Sequence, residues 1–209
     1  MDILSFVVTV VLITASGALA PGPLFFETIT QGSKTGARSG FIFSIAHTVV
    51  EFSLIMLFAL GLITVASEPT VKLVIGVLGG IVLILFGVFQ VYKTFIVNSE
   101  EQKQKVPSYR HLFFIGVVFT GLNPYFIIWW LTVGAQLIII SLEFAALIGV
   151  VFMYICHVWM DYVWLTSVAH FAKKGTNILG LKWYKPLMAI FGIILIYFGV
   201  SFIISSISL

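Results

Sequence analysis

Apolar runs long enough to span a bilayer, about 20 residues each, recur along the whole length of this sequence. The sequence is 60% hydrophobic and only 9% charged, against roughly 45–50% and about 25% for a soluble domain. A larger core does not close that gap, so the chain reads as an all-α, polytopic membrane protein. A β-barrel would show short segments with polar positions alternating toward the lumen, and these runs do not alternate. One cysteine, Cys156, excludes a disulfide or a dithiol relay within the chain and reads as a small buried apolar residue.

Six spans are expected, near residues 3–31 (interrupted at 21–23), 39–65, 71–97, 111–140, 142–170 and 187–207. The connections are Gln31 to Arg38, Ser67 to Pro69, Asn98 to Arg110, a tight turn near Ser141, and Lys173 to Pro186. The formal net charge of +3 does not point to nucleic acid, because the basic residues fall in short loops. Lys34 and Arg38 lie in the first loop, and Lys93, Lys103, Lys105 and Arg110 flank or fill the third. Lys173, Lys174, Lys182 and Lys185 fill the fifth; only Lys72 lies on the other side. That bias places the odd-numbered loops in the cytoplasm and both termini outside, in a multi-pass protein of the cell membrane. Ala18-Leu19-Ala20 resembles a signal-peptide cleavage site. The preceding segment carries Asp2 and no Lys or Arg, so residues 3–20 read as a retained first helix.

The two halves repeat. Gly80-Ile-Val-Leu-Ile-Leu-Phe-Gly-Val88 matches Gly192-Ile-Ile-Leu-Ile-Tyr-Phe-Gly-Val200 at seven of nine positions. His47 and Glu51 have counterparts in His157 and Asp161, 110 residues on, and Pro23 pairs with Pro124 at an offset of 101. Each unit holds three spans, an odd number, so the second is inverted relative to the first. The division is a first three-helix repeat at 1–98, a cytoplasmic linker at 99–110 and a second repeat at 111–209, together one membrane domain. Inverted repeats with broken helices 1 and 4 are an architecture of secondary transporters.

The breaks are the stretch Pro21-Gly22-Pro23 and the pair Asn123-Pro124. Proline donates no backbone N–H and clashes with the preceding turn. The opened backbone groups therefore have to face protein or a water-filled cavity, and Asn123 can cap one of them. The helices that restart there point positive N-terminal ends at whatever lies between them. His47 and Glu51 share a helix face, as do His157 and Asp161. At roughly 1.5 Å per residue from the basic loop residues, all of these positions converge on the middle of the membrane. Ionisable groups at that depth are expensive and face the interior. Glu51 and Asp161, with their histidines, read as a proton-coupling set; the structural alternative is that each histidine only neutralises its own carboxylate. Glu27 is a weaker candidate, close enough to Lys34 to reach water.

The aromatic residues Tyr125, Trp129, Trp130, Tyr154, Trp159, Tyr162 and Trp164 could line a cavity or hold an ammonium group, although most fit core or interface positions. Gly76-x-x-x-Gly80 fits close helix packing or a homodimer contact. The zinc-protease pattern H-E-x-x-H and the nucleophile elbow G-x-S-x-G are both absent from the sequence. An intramembrane enzyme is therefore not expected, and no cofactor is called for. A scaffold or redox partner would leave the midplane charges without a role.

"APGP" at the end of the first span, basic residues in the next loop, "GLNP" in the fourth span and the six-span size resemble the LysE/RhtB family of amino-acid exporters. The resemblance covers essentially the whole chain. It implies efflux of amino acids or related metabolites driven by the proton-motive force, with substrate held near Pro21, Gly22, Pro23, Asn123 and Pro124. Two departures bear on the substrate: Leu24 follows the first break where family members carry a small polar residue, and His47 and Glu51 occupy the second span, which tends to be glycine-rich in family members. The wider superfamily includes metal exporters. His47, Glu51, His157 and Asp161 are accordingly also a plausible ligand set for a divalent metal ion as cargo.

Overall fold

The computed structural model describes residues 1–19, 21–62, 69–96 and 107–207, and these are all-α. The expected loop at Ser67 and Glu68, and most of the expected linker with Lys103 and Lys105, lie outside the described residues.

Helix α1 (Ile3–Ala18) starts at Asp2, whose carboxylate accepts the Ser5 backbone N–H at 2.8 Å. Helix α2 (Pro23–Thr35) begins on proline at its first turn, with Gly22 as its cap. The expected loop from Gln31 to Arg38 is much shorter in the structure. Only Gly36 separates α2 from α3 (Ala37–Leu57), and its φ of 69° is a conformation a side chain disfavours. Helix α3 runs into a π-helical turn, Phe58–Leu62, where Gly61 has φ 98°. Helix α4 spans Pro69–Ile96. Helices α5 (Tyr109–Gly121) and α6 (Pro124–Leu131) meet at a bend of 52°. The last helical run, α7, covers Val133–Ile207.

A straight helix of 75 residues would be about 110 Å long, several times a bilayer's apolar thickness of about 30 Å. Helix α7 therefore folds back on itself. Ala146 has a positive φ of 49°, and Gly149 lies against the backbone carbonyl of Ser141. The first reversal thus falls after Ser141, which is still helical and donates its hydroxyl to the Leu137 carbonyl. This corrects the turn expected near Ser141 itself. A second reversal is forced by two neighbours on α2. Phe25 stacks on Trp164 at 5.9 Å, and Phe26 meets Phe198 at 6.2 Å. The stretch Lys173 to Pro186, expected as a loop, remains within the helical run.

Among the described residues, two helices are long and apolar enough to cross a membrane, Ala37–Gly61 and Val133–Gly175; the bent α5–α6 pair makes a third. Ile3–Ala15, Val77–Phe89 and Gly192–Ile207 are shorter apolar helices. In lipid there is little hydrophobic drive for helices to associate, so close packing has to do it. Small residues supply it. Built side chains at Gly80 and Gly199 would each lie 2.6 Å from the other's carbonyl oxygen, and one at Gly87 would lie 2.5 Å from the Gly192 carbonyl. Gly80 is thus committed to a contact inside the chain. Two apolar clusters frame the centre: one around Phe6, Val10, Ile55, Trp130 and Met153, the other around Phe43, Leu83, Phe119, Leu165 and Leu195.

Lys34, Arg38 and Lys173 gather at one end. The Lys173 ammonium donates to the Lys34 carbonyl at 2.5 Å, and the Arg38 guanidinium lies 3.5 Å over the Tyr109 ring.

Candidate functional site

Helix α3 carries His47 and Glu51 one turn apart, and α7 carries His157 and Asp161 at the same spacing. Packing of α3 on α7 brings the pairs together. Glu51 Oε1 is 3.3 Å from His47 Nε2 and 3.1 Å from His157 Nε2, and His157 Nε2 is 3.5 Å from Asp161 Oδ2. The two pairs therefore meet in one cluster, joined by the contact between His157 and Glu51. Glu51 and His157 are each only 2% exposed and Asp161 4%.

Each imidazole is held from behind by a threonine of a broken helix. His157 Nδ1 is 2.9 Å from the Thr14 hydroxyl on α1, and His47 Nδ1 is 3.1 Å from the Thr120 hydroxyl on α5. Those contacts turn both Nε2 atoms toward the carboxylates, since the bond made by one ring nitrogen sets the role of the other. Trp130, fully buried on α6, donates its indole N–H to Glu51 Oε1 at 3.1 Å. Tyr154 donates to the Thr48 carbonyl and lies nearly parallel to the His157 ring.

Not every polar atom is satisfied. Glu51 Oε2, Asp161 Oδ2 and the Trp164 indole nitrogen are buried without a hydrogen-bond partner among the described residues. His157 Nε2, although close to Glu51, is off the line of a hydrogen bond. Buried polar atoms in that condition cost about 1–3 kcal/mol each. All four residues line a cavity of about 90 Å³. A single water needs only about 10–15 Å³ of such space, so the cavity can admit several waters or a small solute.

The two helix breaks meet at this cavity. Gly22 and Asn123 both line it, and a side chain at Gly22 would come within 3.9 Å of the Asn123 amide nitrogen. Asn123 Oδ1 accepts the Tyr125 backbone N–H at 3.1 Å, the capping role expected for it. Pro23 and Pro124 are buried first-turn residues that fix where α2 and α6 start, whereas Pro21 is exposed; none of the three lines the cavity. Glu27 sits away from the cluster. It is 3% exposed and accepts from the Gln31 amide at 2.7 Å, which corrects the expectation that it reaches water.

Sequence reasoning did not single out Thr14, Thr120 or the bond from Trp130 to Glu51. Trp130 lies seven residues beyond Asn123, on the same helical face, and that spacing was the available signal. For a metal ion, one atom from each of His47, Glu51 and Asp161 can be chosen within 4.8 Å of the others.

A bundle of apolar helices enclosing a buried, ionisable cavity between two helix breaks defines an integral membrane protein built to admit a solute. The family model of the LysE type translocators matches residues 15–206, nearly the entire chain, and the protein belongs to that family of membrane transporters. No curated protein and no solved structure matches it. The resemblance read from "APGP" and "GLNP" is upheld at the level of the family.

Proposed function

We propose that the protein is a secondary transporter of the cell membrane that exports amino acids or related small metabolites and is driven by the proton-motive force. Substrate would sit in the cavity between Gly22 and Asn123. The observation that carries this reading is the convergence of two helix breaks and two histidine–carboxylate pairs on one buried cavity. A carboxylate cluster bridged by imidazoles can hold a proton in one state and release it in another. Glu51 is the central member, contacted by both histidines and Trp130.

The contact pattern supports two inverted three-helix repeats in six spans. Under the correspondence of Gly80 with Gly192 and Gly87 with Gly199, the contact Gly80–Gly199 maps onto Gly192–Gly87, and both occur. The histidine anchors follow the same exchange. His47 of the first half is held by Thr120 of the second, and His157 of the second by Thr14 of the first. Such swapping fits a two-fold axis lying in the membrane plane, the relation of inverted-topology repeats. The gathering of Lys34, Arg38 and Lys173 at one end supports cytoplasmic odd-numbered loops and external termini.

A second reading has its own observation. His47, Glu51 and Asp161 approach closely enough for a divalent metal ion to be the cargo. One experiment separates the two. Purified protein is placed in liposomes holding a pH-sensitive dye, and amino acids and divalent cations are added singly to wild type and Glu51→Gln. Amino-acid-dependent proton flux that Glu51→Gln abolishes is the expected result. Flux with metals alone moves the assignment to metal export, and silence across the panel from folded protein removes both.

A further inference from the structure

We propose that Glu27 is a second proton-binding site, a relay that takes protons from the Glu51–Asp161 cluster and hands them to water at the end of the molecule that carries Lys34 and Lys173. The proposal rests on the transport reading above and extends it to a residue outside the cavity.

Three of the described carboxylates are buried, Glu27, Glu51 and Asp161, whereas Asp2 and Glu143 are exposed. Two of the three form the cluster. Glu27 does not line the cavity. The Gln31 amide donates to its Oε1 at 2.7 Å. An uncharged amide at position 27 could accept that bond through its carbonyl, so the bond gives no reason for a carboxylate. Burying one inside a membrane span is expensive, and such groups mark ion and proton pathways.

Its position fits a pathway. Helices α2 and α7 run side by side in the same direction. Phe25 stacks on Trp164, a side chain at Gly32 would meet Ala169, and the Lys173 ammonium reaches the Lys34 carbonyl. Phe25 and Trp164 line the cavity. Asp161 lies three residues before that stack and Glu27 two residues beyond it. At about 1.5 Å per residue, Glu27 stands roughly 7–8 Å further toward Lys34. That gap is too long for direct transfer and fits a short file of waters at a spacing of about 2.8 Å.

The helix around Glu27 is polar where a membrane span has little cause to be. From Glu27 to Thr35 it reads Glu-Thr-Ile-Thr-Gln-Gly-Ser-Lys-Thr, with Ile29 the only large apolar side chain. Thr28, Thr30 and Ser33 are nonetheless buried. Their hydroxyls and that of Thr35 donate to carbonyls of α2 itself, which leaves oxygen lone pairs to solvate a passing proton. Gln31 and Lys34 follow Glu27 on one face and lead outward. The charged or titratable groups on the helices packed around α2 lie toward that end. Lys173 is drawn to Lys34 and Arg38 to the Tyr109 ring, while Arg110, His111, His170 and Lys174 are exposed. The step itself is a proton transfer. An O–H bond at Glu51 or Asp161 breaks, one forms on Glu27, and that proton then passes to water, leaving each carboxylate ionised.

The test begins with infrared difference spectra of the full-length protein in lipid, taken between about pH 8 and about pH 5, the range over which a working relay has to load and unload. Wild type is expected to show a carboxylic-acid C=O band that Glu27→Gln removes and Glu27→Asp shifts. In proteoliposomes the probe is a mixture of the common amino acids. An internal pH dye follows proton flux, and counterflow of the radiolabelled mixture follows exchange, which needs no net proton movement. Glu27→Gln is expected to cut proton flux at least tenfold and to leave counterflow within about twofold of wild type. Glu27→Asp, which keeps a carboxyl, is expected to restore part of the flux. The proposal is overturned if neither variant alters the infrared band, or if folded Glu27→Gln keeps wild-type flux. It is equally overturned if flux and counterflow fall together in folded Glu27→Gln, since Glu27 would then serve substrate or structure. Should Glu27→Gln fail to fold, an unmoved band in Glu27→Asp overturns it. A Glu27 band in wild-type protein that carries neither flux nor counterflow would uphold the proton site and overturn the transport reading.

Discussion

His157 is held from several sides at once. Its ring lies between Trp130 and Tyr154, its Nδ1 meets the Thr14 hydroxyl, and its Nε2 faces two carboxylates. Replacing Thr14 by the isosteric valine leaves Nδ1 buried without a partner, which costs about 1–3 kcal/mol. Thr14→Val is therefore expected to lower the thermal unfolding midpoint in detergent and to weaken proton flux. Thr120→Val should do less to stability, because the His47 side chain is 13% exposed and can recruit water. Equal losses for the two variants would contradict this ranking. The histidines and carboxylates were legible in the sequence because ionisable groups at membrane depth demand a reason. Thr14, Thr120 and the bond from Trp130 to Glu51 were not, since threonine and tryptophan sit comfortably in apolar helices. Their roles arise only when helices distant in sequence are packed together.

At the scale of the helix, contact distance rather than propensity decides which glycines matter. Gly40 lies on α3 against α7, where an added Cβ would run into the Leu165 carbonyl and come within 2.7 Å of Thr166 Cα. Both are backbone atoms that cannot rotate away, so Gly40→Ala is expected to cost about 1–3 kcal/mol. Gly175 meets nothing within 4 Å, and Gly175→Ala should be neutral or stabilise by up to about 1 kcal/mol through the backbone entropy it removes. Thermal unfolding of the pair in one detergent checks the contrast. The start of α1 offers a pH test. Hydrogen bonds from Ser5 hold the Asp2 carboxyl below the usual carboxylate range. A carboxyl depressed in the folded state contributes its stability at higher pH and loses it as pH falls through the lowered value. Protection of the Ser5 amide from hydrogen exchange should accordingly fall on acidification, and Asp2→Asn, which caps without titrating, should flatten that dependence. The breaks at Gly22 and Asn123 could be read in advance because proline and glycine act through local geometry. The reversal at Ala146 could not. No glycine or proline occurs between Ser141 and Ile148, and the chain turns there with Gly149 seated on the Ser141 carbonyl.

Across the whole molecule, α2 and α7 are held together at the end that carries Lys34 and Lys173. Helix α2 presses on α7 there, with a side chain at Gly32 placed 2.6 Å from Ala169 Cα, and the Lys173 ammonium caps the last turn of α2. In a transporter that alternates access by rocking one repeat against the other, this end must open once in each cycle. The geometry offers a direct test. A Cβ on Gly36 would stand 3.6 Å from the Lys173 Cβ, within the range of about 3.5–4.5 Å that a disulfide needs. Since Cys156 is the only cysteine, Cys156→Ala gives a clean background for Gly36→Cys with Lys173→Cys. Under mild oxidation the double variant is expected to cross-link in nearly full yield, seen as a mobility shift on non-reducing gels after protease nicking between the helices. Substrate-dependent flux should then fall at least tenfold and return on reduction, while each single-cysteine variant remains insensitive to oxidant. Glycine at position 36 has φ 69° with ψ −151°, a region almost confined to glycine, so Gly36→Cys carries a strain of about 1–3 kcal/mol whether or not the bridge forms. The reduced double variant is the control for that loss. Full transport with the bridge intact would show that the basic end stays shut throughout the cycle, and the moving element would then have to be sought elsewhere in the molecule.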